Sequence, residues 1–114
     1  MKKIILILLL SNSTLFAYDT NDFLIDYNNI ILEISNVNNE ISLRYSDVNN
    51  LEMFRYIRLE YLRLINLCDR VINRARANGI SNNLISYVSF TKFKLFSIVN
   101  KCERVIGEYI NFIY

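Results

Sequence analysis

Two cysteines, Cys68 and Cys102, and a set of arginines are the residues of this chain best suited to chemistry or recognition. A cysteine acts as a nucleophile only as a thiolate, which needs a base or a positive neighbour. The 114-residue chain contains no histidine, so it lacks the commonest general base and the commonest metal ligand. Asp69 beside Cys68 raises that thiol's pKa, and no C-x-x-C redox pair is present. Two distant cysteines do not make a zinc site. No calcium loop, glycine-rich phosphate loop or G-x-S-x-G elbow occurs. The acids fall on helical flanks without a cleft signature for paired-carboxylate hydrolysis. The expectation is a protein that is not an enzyme and takes no cofactor and no metal.

The same cysteines serve better as a cross-link. Lys2 and Lys3 precede the apolar run Ile4–Leu10, a polar patch comes next, and Leu15, Phe16 and Ala17 close the segment. This is the layout of a secretory signal, with cleavage expected after Ala17 although Leu15 is large for its position. The run is too short to span a bilayer. Residues 1–17 therefore read as a signal peptide and residues 18–114 as one exported domain, periplasmic or secreted. Export places the cysteines where disulfides persist, and a Cys68–Cys102 bond is expected.

The elements that must position these residues are helical. Proline is absent and glycine occurs only twice, against a turn-rich β-fold. Asp19, Thr20, Asn21 and Asp22 form a capping cluster. Phe23, Tyr27, Ile30, Ile34, Val37, Ile41, Tyr45 and Val48 then recur at steps of three and four, predicting a helix over 21–46. Asn49-Asn50 breaks the pattern. A second series, Phe54, Ile57, Tyr61, Leu64, Cys68, Val71 and Ala75, has heptad spacing and ends at Ala77-Asn78-Gly79, where Gly79 and Ile80 suit a Schellman turn. Ser81 suits the next N-cap. The third series is Val88, Leu95, Val99, Cys102, Ile106, Tyr109 and Ile113, flanked by Phe93 and Phe96. The fold class expected is all-α, a small antiparallel bundle of three main helices, with an extended coiled coil as the alternative.

The disulfide adds a condition. A hairpin turning at Ile80 leaves Cys102 about ten residues, roughly 15 Å, past the point opposite Cys68. A disulfide needs Cα atoms within about 7 Å. Its formation requires the third helix to be interrupted near 80–90, with the final helix restarting at Ser89 or Phe90. Without the bond, the two cysteines are buried core thiols.

Charge is segregated. Residues 18–52 hold seven acids and one base, and residues 53–114 hold ten bases and four acids. Asp22, Asp26, Glu33 and Glu40 share one flank of the first helix; Arg63, Arg70 and Arg74 share one of the second. These flanks can match one another or present a surface to an anionic partner. Leu59 and Leu62 lie among the arginines, off the apolar seam. Arg55, Arg58, Leu59, Leu62, Arg63, Arg70 and Arg74 form the candidate interaction surface. The expected function is a protein-binding module of the cell envelope, chaperone-, inhibitor- or immunity-like, holding a protein partner that the sequence does not name. The alternatives are an anionic membrane-surface protein and a self-assembling homo-oligomer. The mature chain is neutral and carries no nucleic-acid-binding motif, which sets nucleic acid aside.

Overall fold

The computed structural model describes residues 17–45 and 51–113. The expected signal segment lies outside the described residues except for Ala17. Helix α1 spans Thr20–Arg44, α2 spans Leu51–Ala77 and α3 spans Asn82–Ile113. The described residues are all-α, a small bundle of three helices.

Local signals account for the helix ends. Asp19 caps α1: its side chain accepts from the Asp22 N–H at 2.9 Å, and the Asp22 carboxylate accepts from the Asp19 N–H at 3.1 Å. This reciprocal capping box satisfies two amide donors and sets negative charge at the positive end of the helix dipole. Helix α2 closes in a Schellman turn. Gly79 takes φ +70°, Ile80 N donates to Ala75 O at 3.0 Å, and Gly79 N donates to Arg76 O at 3.2 Å. Ile80 and Ala75 are both buried, supplying the apolar contact of that motif. Ser81 then caps α3, its Oγ accepting from Asn83 N at 3.2 Å.

The helices bury one stripe each. Phe23, Ile30 and Val37 of α1, seven residues apart, are buried, with Tyr27, Ile34 and Ile41 packed beside them. From α2 come Tyr61, Leu64, Ile65, Cys68, Val71, Ile72 and Ala75; from α3, Ile85, Val88, Leu95, Val99 and Cys102. The asparagine pairs of α1 do not break it, because they fall off the buried stripe: Asn28, Asn29 and Asn39 are exposed, and Asn38 is held by Tyr61 of α2.

The expected interruption of the third helix does not occur. The chain reverses at 78–81, and α3 runs unbroken from Asn82 to Ile113. The hydroxyls near the supposed break hydrogen-bond back into their own helix instead of capping a new one: Ser86 Oγ donates to Asn83 O at 2.6 Å and Thr91 Oγ1 to Tyr87 O at 3.0 Å. Wholly buried Val88 holds this stretch on the core.

The disulfide is corrected for the same reason: Cys68 and Cys102 are free and buried. Two cross-helix ion pairs define the α2–α3 register, Lys92 Nζ to Asp69 Oδ1 at 2.5 Å and Arg58 Nε to Glu103 Oε1 at 3.1 Å. That register sets Cys68 level with Phe93 and Cys102 level with Leu59. The thiols are thus nine residues apart along the bundle, roughly 14 Å by helix rise, where a disulfide tolerates about 7 Å between Cα atoms.

Helix α1 runs antiparallel to α2 and lies chiefly against it. Tyr61 Oη donates to Asn38 Oδ1 at 2.5 Å, and Arg63 Nη2 reaches Glu33 Oε2 at 3.1 Å. At one end the Arg74 guanidinium sits 4.5 Å from the Tyr18 ring centroid; at the other, Arg44 sits 5.1 Å from that of Tyr56. Helices α1 and α3, parallel to each other, meet at the Tyr27–Tyr87 ring pair, 6.3 Å between centroids.

Candidate protein-docking face

The register of α2 against its neighbours sorts the seven residues singled out from the sequence. Three arginines are drawn into packing. Arg63 joins Glu33 of α1 to Glu60 of its own helix, the latter at 2.8 Å. Arg74 lies over Tyr18, and Arg58 pairs with Glu103. Leu62 is half-buried against the core. Arg55, Leu59 and Arg70 remain exposed, Leu59 at 65%. The expected matching of acidic and basic flanks thus holds at Glu33–Arg63. Asp22 is engaged in the helix cap, and Asp26 accepts from the Tyr18 hydroxyl at 2.7 Å. The ion pairs are partly solvated, so each contributes on the order of 0–1 kcal/mol and fixes register more than stability.

Arg55, Arg58 and Leu59 are brought together where α2 and α3 run side by side. With Glu103, Ile106 and Gly107 they line a depression of about 530 Å³. Gly107 leaves its floor open, since an added Cβ there would meet nothing within 4 Å. Toward the Schellman turn, the same seam opens into a second depression of about 530 Å³, where Phe93 and Phe96 stand beside Ile72, Arg76 and the Asp69–Lys92 pair. Apolar walls with alternating guanidinium, ammonium and carboxylate groups suit a peptide or protein surface: the rings and Leu59 gain by desolvation, and the charges select orientation.

The exposed rings of α3 were not part of the candidate interaction surface read from the sequence. Phe93 and Phe96 on this face are 68 and 42% exposed, and Tyr87 and Phe90, on the side of α3 toward α1, are 58 and 60% exposed. Their spacing of three was the available signal. Steps of three without a compensating four drift about 60° backward per step, so the rings wind around the solvent side of α3 instead of stacking on its seam.

The titratable groups of the core are held neutral. Burial, reinforced by Asp69 and opposed by Lys92, pushes the Cys68 thiol up to about 11. Burial, then Glu103, raises Cys102. Tyr18 is raised by burial and by its bond to Asp26; Tyr61 is raised by burial against the opposing effect of Asn38. These groups behave as core side chains with a polar tip. Among the described residues, no group of three cysteines, aspartates or glutamates is placed to hold a metal ion, and no helix is long and apolar enough to cross a membrane.

No protein-family model, curated protein or solved structure matches the chain.

Proposed function

We propose that this chain is an exported, non-catalytic binding module of the cell envelope that holds a partner protein along the α2–α3 seam. One observation carries the reading: Leu59, Phe93 and Phe96 stand exposed on one seam, among Arg55, Arg58, Arg76 and Lys92. Burying an exposed phenylalanine on docking is favourable by about 1.5–3 kcal/mol, so a few such anchors suffice for specific recognition. Arg55 and Arg76, standing beside the Arg58–Glu103 and Lys92–Asp69 pairs, favour a partner with carboxylates at its rim. The placement of the capping box supports export, because α1 starts just past the expected cut after Ala17, and cleavage there leaves Asp19 and Tyr18 in the mature chain. The test is photo-crosslinking in intact cells from a reactive side chain at position 59 or 93, with position 36 on the far side of α1 as control. A discrete adduct with a protein other than this chain, formed from 59 and 93 and absent from 36, is expected; adducts between copies of the chain, identified by their mass, are not scored. Adducts of equal yield from all three positions, or none, reject the reading.

A further inference from the structure

A second apolar groove lies elsewhere, between the parallel helices α1 and α3. Ile31 and Ile34 form one wall, Tyr87, Phe90 and Ile98 the other, and together with their neighbours they enclose about 340 Å³. Its rim is charged on one side only. Lys94 projects from α3 with its Nζ 4.6 Å from the Phe90 ring centroid, and Lys101 comes seven residues later on the same line. The α1 side of the rim, at Asn28, Ser35 and Ser42, is neutral and exposed. The groove therefore suits an amphipathic helix with an aliphatic stripe flanked by acids.

The chain itself carries such a helix. On α1, opposite the buried stripe, Ile25, Leu32 and Leu43 are 57, 59 and 81% exposed. Their spacings of seven and eleven keep them within about 20° of one line. Glu40 lies along one side of that line, one helical line on from Glu33, whose carboxylate is held by Arg63, on a helix with four acids and one base. The stripe and the groove lie on different faces of one copy, roughly 140° apart around α1, so no copy fills its own groove with its own stripe. Stripe against stripe would bring acids together, and groove against groove would bring lysines together.

We propose that copies of this chain associate head to tail, the outward stripe of α1 in one copy seating between α1 and α3 of the next. The occupant is a second copy because both complementary surfaces are present on the chain: aliphatic stripe to aromatic groove, carboxylate flank to lysine rim. The contact is heterologous and small, so assembly is weak, concentration-dependent and steered by charge. It does not rest on partner docking at the α2–α3 seam, whose residues it does not use.

The experiment is sedimentation of the purified protein over about a hundredfold range of concentration, at low and high salt. The average mass rises with concentration and falls with salt. Leu32→Glu removes the stripe and keeps the groove. Lys94→Glu with Lys101→Glu reverses the rim and keeps the stripe. All three positions are exposed, and unchanged helicity in both variants verifies their fold. Each variant alone is monomeric, while an equimolar mixture forms a two-copy species that grows no further. A wild-type mass that stays monomeric, a mixture that stays monomeric, or variants that assemble like the wild type overturns the proposal. So does a monomer that binds phosphatidylglycerol vesicles and loses that binding with the lysine reversal, which would make the occupant a membrane.

Discussion

The two glycines should respond to alanine with opposite signs. Gly79 holds φ +70° at the Schellman turn, and a Cβ built there meets nothing within 4 Å. No clash enters, so the effect of Gly79→Ala is conformational. The left-handed region costs an L-residue about 1–2 kcal/mol, partly offset by the lower unfolded-state entropy of alanine, about 0.4–1 kcal/mol. The expected net loss is about 1 kcal/mol. Gly107 lies inside α3, where a Cβ also meets nothing within 4 Å. There glycine is about 0.8–1 kcal/mol worse than alanine in a helix, so Gly107→Ala should stabilise by slightly less than that. Urea unfolding monitored by circular dichroism reads both, provided the slopes stay equal. The variants should differ by close to 2 kcal/mol, and in melting temperature by about 8–16 °C for a domain of this size. A neutral or stabilising Gly79→Ala refutes the left-handed turn on which the hairpin depends. A destabilising Gly107→Ala refutes an uninterrupted α3 with an open side at that residue.

Burial, capping and charge set the response to other perturbations. Phe23→Ala empties a wholly buried site and should cost about 3–5 kcal/mol in the same urea assay, against about 0.5 kcal/mol or less for Leu43→Ala on the surface. Asp19→Ala removes the cap of α1 and should cost about 1 kcal/mol, with hydrogen exchange rising first at the amides of the first turn. Under non-reducing conditions both cysteines should resist alkylation in the folded protein and take up two labels per chain once unfolded, as read by mass spectrometry; an intramolecular disulfide contradicts the register. The Cys68 pKa is raised from 9.0 to about 11 in the fold. Its contribution to stability is therefore complete below about pH 9 and lost as pH rises toward about 11. An alkaline decline over that window, weaker in Cys68→Ala measured against its own neutral-pH value, is expected.

Much of the fold was legible because several local signals agreed. Phe23, Ile30 and Val37 repeat at seven, Asp19 and Asp22 cap the helix that carries them, and Gly79-Ile80-Ser81 combine a C-terminal stop with an N-terminal start. The expected interruption near 80–90 depended on a disulfide, which in turn depended on export. Local chemistry pointed the other way, since Ser86 and Thr91 bond to carbonyls one turn back and Val88 is a core residue. The interaction surface was legible only in part, for a geometric reason. Composition marks an arginine as charged, but whether it finds a partner depends on the level of the neighbouring helix. Arg58, Arg63 and Arg74 each find a partner across a helix boundary, while Arg55 and Arg70 stay exposed. The exposed rings of α3 were hidden by composition, because phenylalanine in a helical run reads as core until the step of three is traced around the cylinder.

The central claim is a three-helix bundle whose α2–α3 hairpin turns at 78–81 and keeps one register along its length. Methyl-resolved nuclear Overhauser spectroscopy of the purified protein tests it most directly. Cross-peaks joining Ile65 to Leu95 and Ile72 to Val88 are predicted, since both pairs lie at the level set by the Asp69–Lys92 and Arg58–Glu103 contacts. Ile65 joined instead to Val105, with no peak to Leu95, would contradict it.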